Sequence, residues 1–513
     1  MTAAPSDPPT PSPGTRCWTL FAADGAVDVE LTAPDSASLD TVLPALARAL
    51  GVPVDGLWDG SVRLQEDLPI SVPALAHGAL LGLGRPVPPA WRARRSSALE
   101  LHVVGGPEAG RTLPLGQGRH VLGRGSEATV VVEDPDVSRR HVAVQVGGGR
   151  ITVADLGSTN GSRLGDVELD AEPRAWPVGA VLRLGGTAMT IAGPGQSSAS
   201  LAAGPGGRHR LRPSPRLEPP IPDVEVAFPR APEPPPSRRL AWAAIALPAV
   251  AGVLMAWLLS APTFLFFALL SPVVALGTWL SERWTGRRTG RRTAASHAVE
   301  VLAADTRLDE AVRAHVGALQ RTHPDLATLT AAARRRTDVL LSRTLGASGA
   351  LGVRLGTGTG PTGVTRVDGD GTRRRQTAPD APVVVDLARD GGLAVIGPVD
   401  VATGVLRAVV AQLTALHPPG QVELILLADT AGLARWAWAR WLPHLSPTSV
   451  HVQAHGHPEA DDELLRRFSA LLAARRSAAE RTAGPPRNQA VVIVDRPLDP
   501  RLVALLREAR DAG

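Results

Sequence analysis

Between Leu240 and Ser281 the chain runs for 42 residues without a single charged side chain. No other feature restricts its folding so strongly. One α-helix crosses the apolar core of a bilayer with about 20 residues, and a helix is the only open-ended segment whose backbone polar groups are satisfied there. The run 240–281 therefore predicts two transmembrane helices forming a hairpin, turning at Ser260-Ala261-Pro262, with Pro248 and Pro272 as positions of expected kinks. Trp242, Trp257, Trp279 and Trp284 fall toward the expected interfaces. Arg238 and Arg239 precede the run, and Arg283, Arg287, Arg288, Arg291 and Arg292 follow it. Arginine next to a span holds that end inside, so both termini are expected in the cytoplasm, in a two-pass plasma-membrane protein. The same arginines offer a generic patch for anionic headgroups of the lipid bilayer.

The soluble remainder is too long for one core in a chain of 513 residues. A net charge of +5 is small for that length, and the high isoelectric point arises because the chain contains arginine but no lysine and no tyrosine. Nucleic-acid proteins mass basic side chains on one domain with aromatics among them. Aromatics here are 3%, which disfavours nucleic acid, although a DNA-tethering membrane protein stays open as an alternative. The single cysteine, Cys17, excludes an internal disulfide and a cysteine-rich zinc site. Residues 1–14 lack the basic start and apolar stretch of a signal peptide.

Composition divides the chain further. Residues 1–15 are expected to be disordered. Over 16–85, alternating stretches at Trp18 to Phe21 and Val27 to Leu31 flank Asp24-Gly25, a hairpin signal. Leu39, Val42, Leu43, Leu46 and Leu50 then follow Ser38 at helical spacing. Hairpin, helix and further short strands resemble a ubiquitin-like β-grasp module; an unrelated small α+β domain fits the same pattern. Residues 98–195 show short strands punctuated by glycine, the mark of an all-β sandwich. A Pro-rich linker is expected over 196–239, with Pro219-Pro220 and Pro234-Pro235-Pro236. Beyond the membrane run, 294–345 reads as a helical stalk broken at His323-Pro324, and 380–513 as an α/β domain with a largely parallel sheet.

Inside the β-rich block three clusters stand in order: Gly123-Arg124, Ser138-Arg139-Arg140-His141, and Asp155-Leu156-Gly157-Ser158-Thr159-Asn160-Gly161. With the turn Trp176-x-x-Gly179 and the closing Leu182-Arg183-Leu184-Gly185, they closely resemble the forkhead-associated (FHA) family. That resemblance implies a phosphothreonine-containing protein as partner. Arg124, Ser138 and Thr159 would contact the phosphate or its surroundings, and Asn160 would hold the peptide backbone. A guanidinium fork and a hydroxyl suit a phosphate dianion. His141 is expected to fix the Ser138 loop, with Gly123 and Gly161 as turn glycines; no cofactor and no catalytic residue is implied. Arg139 stands where some members carry Asn, and is expected to add a donor or to favour acidic flanking residues.

Leu393-Ala394-Val395-Ile396-Gly397 before a helix near Val401 has the strand-turn-helix shape of a P-loop. Aligning Gly397 with the first glycine of GxxxxGK[ST] puts Ala402, Thr403 and Gly404 where glycine, lysine and the magnesium-binding hydroxyl belong. Without any lysine, no other register supplies the phosphate-binding one, so this chain is not expected to be an ATPase. Asp495 ends a degenerate Walker B-like strand, with Arg496 in place of a second acid. The domain order resembles the front end of EccC/EssC-type, FtsK/SpoIIIE-like type VII secretion ATPases of actinobacteria, with echoes at Arg354-Leu355-Gly356-Thr357-Gly358 and Trp438-Ala439-Arg440-Trp441. It implies a membrane-anchored signalling adaptor that meets a secretion ATPase or other secretion components, and it leaves oligomer formation open. The alternative is a subunit or fragment of an ATP-driven translocase. His451, His455 and His457 lack acidic or cysteine companions and read as solvated side chains, with no metal; Trp436, Trp438 and Trp441 read as packing.

Overall fold

In the computed structural model the described residues are 14–23, 25–88, 99–193, 199–204, 207–212, 222–232, 242–258, 264–346, 349–428, 432, 435–445, 458–482, 488–498 and 500–512. The expected membrane turn at Ser260-Ala261-Pro262 lies outside them, as do Asp24, Arg238, Arg239, Pro219-Pro220, Pro234-Pro235-Pro236, and His451, His455 and His457. The chain divides into two compact units. The first comprises Met1–Glu218, His323–Thr357 and Val383–Gly513; the second comprises Pro219–Thr322 and Gly358–Pro382.

The first unit opens with strands β1 (Thr15–Ala22) and β2 (Gly25–Thr32), helix α1 (Leu39–Leu50), then β3 (Leu57–Asp59), β4 (Val62–Arg63) and β5 (Ala79–Leu83). They form one sheet in the order β2-β1-β5-β3-β4, with β1 antiparallel to β2 and parallel to β5. The helical spacing of α1 turns Leu39, Val42, Leu43 and Leu46 onto this sheet, where they join Trp18, Leu20, Leu57 and Leu81 in a closed core.

Eleven strands follow between Glu100 and Ala192: β6 (Glu100–Gly105), β7 (Thr112–Pro114), β8 (Gly118–Gly123), β9 (Val130–Val131), β10 (Val142–Gly147), β11 (Arg150–Asp155), β12 (Ser162–Leu164), β13 (Val167–Glu168), β14 (Arg174–Ala175), β15 (Val181–Leu184) and β16 (Thr187–Ala192). Two sheets result, β14-β11-β10-β8-β9 and β13-β12-β15-β16-β6-β7. Alternate residues such as Val142, Val144 and Val146 face inward and meet Leu101, Val103, Leu182 and Met189 from the other sheet. Trp176 is buried in this core, and its indole nitrogen donates to the Ala180 carbonyl at 3.0 Å. Gly179 turns between them at φ +86°. This is the all-β sandwich expected for 98–195.

The stretch 196–239 is not wholly an extended linker. It holds β17 (Ser200–Ala203), β18 (His209–Arg212) and β19 (Val224–Ala227), the first two paired as an antiparallel ribbon. Proline-rich composition hid them because each is only four residues long.

In the second unit, α2 (Trp242–Leu258) packs against α3 (Phe264–Thr322). The stalk does not begin as a separate helix near 294: α3 is continuous for 59 residues, since no proline stands between Pro272 and Pro324 to interrupt it. Its far half packs Ala304 and Leu308 on Val226, Phe228 and Val364, under a sheet ordered β19-β20-β21, where β20 is Gly352–Val367 and β21 Arg373–Asp386.

Helix α4 (Leu326–Arg335) belongs to the first unit, capped by Asp325, whose carboxylate accepts the Thr328 amide at 2.9 Å. After the short α5 (Leu387–Asp390) come α6 (Val399–Leu416), β22 (Val422–Ala428), α7 (Pro458–Thr482), β23 (Gln489–Asp495) and α8 (Pro500–Ala512). Strands β22 and β23 pair in parallel. Leu424 and Leu426 face Val409, Val410 and Leu413 of α6, whereas Ile425 and Leu427 face Phe468, Leu472 and Leu502. Burial on both faces gives a three-layer α/β/α block. Among the described residues, α6 is also the helix long and apolar enough to cross a membrane, and its place in this core accounts for that composition.

Candidate functional site

At one end of the sandwich, three loops meet through contacts that the sequence clusters supply. Strand β8 ends at Gly123, where a Cβ would stand 2.2 Å from the Arg139 carbonyl oxygen. Only glycine permits so close an approach. The approach lets the Arg124 amide donate to the Ser138 carbonyl at 2.9 Å and the Gly125 amide to that of Arg139 at 3.0 Å. The Arg124 side chain is exposed and held through its Nε, 3.3 Å from the Val137 carbonyl.

His141 is buried beneath the rim. Its Nδ1 accepts the Ser138 amide at 2.9 Å and its Nε2 lies 3.2 Å from the Gly161 carbonyl. A nitrogen that accepts from an amide carries no proton, so the partners assign the neutral ring with hydrogen on Nε2. One imidazole thus ties the Ser138 loop to the Asn160-Gly161 turn. Gly161 takes φ +73°, a left-handed conformation that suits glycine.

Across the rim, the Thr159 amide donates to Ser138 Oγ at 3.1 Å, and the two hydroxyl oxygens lie 3.4 Å apart. Asn160 Nδ2 donates to the Asp136 carbonyl at 2.9 Å. Arg124, Ser138, Arg139, Thr159 and Asn160 are therefore brought to one solvent-facing rim, which presents two guanidinia, two hydroxyls and an amide. Guanidinium and hydroxyl donors held at this spacing have the chemistry that suits a tetrahedral anion.

Asp155 organises the rim from below, a role its place in the motif did not announce. Its carboxylate accepts the Gly157 and Ser158 amides at 2.8 and 2.7 Å, the Ser158 hydroxyl at 2.7 Å, and the Ser162 hydroxyl. Burial alone would raise its pKa, but these donors outweigh it and hold the carboxyl below its ordinary value. The signal in sequence was an Asp followed two and three residues later by Gly and Ser.

The second region singled out in sequence behaves differently. Leu393 to Ile396 do not form a strand, and Ile396 is 97% exposed. The segment follows two left-handed glycines, Gly391 and Gly392, which turn it away from extended pairing. Ala402, Thr403 and Gly404 all lie inside α6, with Thr403 buried, so no phosphate-cradling loop follows Gly397. Asp495 is occupied: Arg435 donates to both its oxygens at 3.1 Å and Trp436 Nε1 donates at 2.8 Å.

Comparison with known proteins places these observations. The family described as the inner membrane component of the type III secretion system, cytoplasmic domain, matches residues 102–195. The FHA domain-containing protein FhaB of Mycobacterium tuberculosis is 34% identical over 132 residues, which is 26% of this chain and 76% of FhaB. The ESX-4 secretion system protein EccC4 of the same organism is 28% identical over 228 residues, 40% of this chain. The EccC protein of Thermomonospora curvata is 35% identical over 77 residues, 15% of this chain. The chain spans only 17% and 6% of the length of those two secretion proteins. Among solved structures, one from a structural and functional analysis of phosphothreonine-dependent FHA domain interactions is 31% identical, covering 18% of this chain and 93% of its own, with a TM-score of 0.17. On the coverage and identity shared with FhaB, the chain belongs to the FHA domain proteins, and it is related to components of type VII (ESX) secretion systems.

Proposed function

We propose that this chain is a membrane-anchored adaptor whose FHA domain binds phosphothreonine-containing proteins at the cytoplasmic face of a secretion system. The observation that carries the reading is the rim itself: Arg124, Ser138 and Thr159 converge at hydrogen-bond range of one another's loops, while Asn160 stands beside them. Phosphate brings close to two negative charges and three acceptor oxygens, which this donor set matches.

Membrane anchoring is supported by α2 and α3, which begin in the charge-free run. Leu247, Val250, Leu254, Trp257 and Leu258 of α2 are each more than half exposed, a surface that lipid would cover. The secretion ATPase and other secretion components are the partners that the relatedness to EccC proteins suggests. For the first domain, the sheet order with β5 central and parallel to its neighbour β1 supports the β-grasp reading.

The decisive experiment is titration of the full chain, in detergent or nanodiscs, with a phosphothreonine peptide library and its phosphoserine and unphosphorylated counterparts. Binding that requires phosphothreonine and is lost in Arg124→Ala is the expected result. Phosphate-independent binding, or none, would leave the FHA fold as an assembly surface only.

A further inference from the structure

A cleft of about 630 Å³ lies within the first unit, bounded by the β6–β7 turn of the sandwich, the start of α4, residues 354–356 and one face of α6. It shares no residue with the phosphothreonine rim. Val104, Ala109, Leu326, Leu355, Val405 and Ala408 make its walls largely apolar, and Leu355 and Val401 stay exposed there. Apolar walls, a few polar groups and a volume of some hundreds of Å³ are the marks of a small-molecule site. The room is left by α6. Gly404 stands inside that helix, where glycine is destabilising relative to alanine. No packing contact or backbone strain asks for it: a Cβ would meet nothing within 4 Å, and its φ is not left-handed. What the missing side chain supplies is open space along the cleft.

The same lining holds a buried cation. Arg354 is only 8% exposed. Its Nε donates to the Gly356 carbonyl at 3.2 Å, one terminal nitrogen to the His323 carbonyl at 3.2 Å and the other to Thr357 Oγ1 at 2.6 Å. A guanidinium has five N–H groups, so two remain, one on each terminal nitrogen, and all three partners are neutral. Among the described residues no carboxylate comes within ion-pairing distance of it. Burial holds its pKa below the ordinary arginine value, and the charge of Asp325 only partly opposes this. The backbone of Arg354 is fixed on α6, its amide donating to Gln412 Oε1 at 2.8 Å and Gln412 Nε2 donating back to its carbonyl at 2.9 Å. Two carboxylates also line the cleft. Asp325 is committed to the Thr328 amide and hydroxyl as the cap of α4, and Asp400 is exposed, where water screens it.

We propose that this cleft binds a small carboxylate-bearing molecule with an apolar body, its carboxylate taken by Arg354 and its body lying along α6 beside Gly404. The two remaining N–H groups of Arg354 suit the two oxygens of one carboxylate. A buried charge without a counter-ion is costly, and such a ligand supplies one. Its apolar body would cover the surface of Leu355 and Val401 that water now meets.

The probes are hexanoate and phenylbutyrate, each beside its alcohol and its amine, titrated by calorimetry into the full chain in nanodiscs with empty nanodiscs as blank. At least one carboxylate should bind about tenfold or more tightly than its alcohol and its amine. Gly404→Leu fills the open space with a better helix former. It should keep or raise the melting temperature while weakening the carboxylate about tenfold or more. Both proteins sit in the same bilayer, so partitioning of the probe into lipid cancels between them. Arg354→Gln should bring carboxylate and alcohol to equal affinity. Because Arg354 also ties His323 and Thr357, its melting temperature is measured alongside, and if that variant unfolds, Gly404→Leu and the carboxylate-to-alcohol ratio decide. Equal affinities within each set, no binding of either carboxylate, or carboxylate binding that survives Gly404→Leu overturns the proposal.

Discussion

Gly123 shows how a single missing side chain sets the site. Its Cβ would lie 2.2 Å from the Arg139 oxygen, and Gly116 provides a matched control because a Cβ there meets nothing within 4 Å. Gly123→Ala should force the two loops apart and weaken phosphopeptide binding about tenfold or more, while Gly116→Ala leaves it unchanged; isothermal titration of both variants checks this. Asp155 makes a prediction with a sign. Its folded pKa is depressed, so its contribution is present above the ordinary carboxylate pKa and is lost as pH falls through the lower folded value. The sandwich should therefore stay folded in mild acid and lose this contribution only below the usual carboxylate range, which circular dichroism across pH checks, and Asp155→Asn should weaken peptide binding already at neutral pH. His323 titrates elsewhere, in the first unit beside Arg343. Burial first, then that guanidinium, lower its pKa to about 4. A neutral buried ring loses stability as pH falls from the ordinary value of 6.5 to about 4, on the order of 3 kcal/mol. Acid melting should therefore weaken this region before the rim, and His323→Gln should flatten that part of the curve.

Helix α4 ties the sandwich to the rest of the first unit. Arg335 pairs with Glu100 of β6, and Arg334 donates to Thr112 Oγ1 of β7 at 2.8 Å. Both members of the ion pair are largely shielded, with 20% and 13% side-chain exposure, so removing one partner strands a charge at a cost of about 3 kcal/mol. Glu100→Ala should lower the melting temperature and expose the 323–346 segment to protease, yet leave phosphopeptide affinity intact because, among the described residues, α4 bonds to β6 and β7 and not to the rim loops. Reversal of both charges should restore part of the loss, which separates the ion pair from general damage. None of this was legible in sequence, because Glu100 and Arg335 stand 235 residues apart and nothing local marks them as partners. The rim was legible for the opposite reason. Its glycines, Ser138, His141 and Asn160 occupy turns whose geometry demands particular residue types, so the motif carries its own structure. Short strands within proline-rich sequence, and the lack of strand pairing at Leu393 to Ile396, are not legible locally, because tertiary pairing decides whether four apolar residues become a strand.

For the whole molecule, the charge-free run is the feature that sequence expresses most plainly, and the proposed membrane anchoring rests on it. The length of α3, 59 residues, corresponds to about 88 Å of helix at 1.5 Å per residue. That is roughly three times the apolar thickness of a bilayer, so under the proposed anchoring the rod would be long enough to span a bilayer with Ala304 and Leu308 still packed under the sheet of the second unit. The arginines that follow the run would hold the lower part of that rod at the inner surface. If this is right, the full chain should sediment with membranes and resist extraction at alkaline pH, whereas a chain lacking 240–281 should be released. Tags placed at each terminus should be shielded from protease in right-side-out vesicles and be digested once the membrane is opened. A tag cleaved from outside would reverse the orientation, and release of the full chain by alkaline extraction would mean that the exposed apolar faces of α2 and α3 are covered by protein instead of lipid. Either result would leave the phosphothreonine rim intact while changing where its partner must be sought.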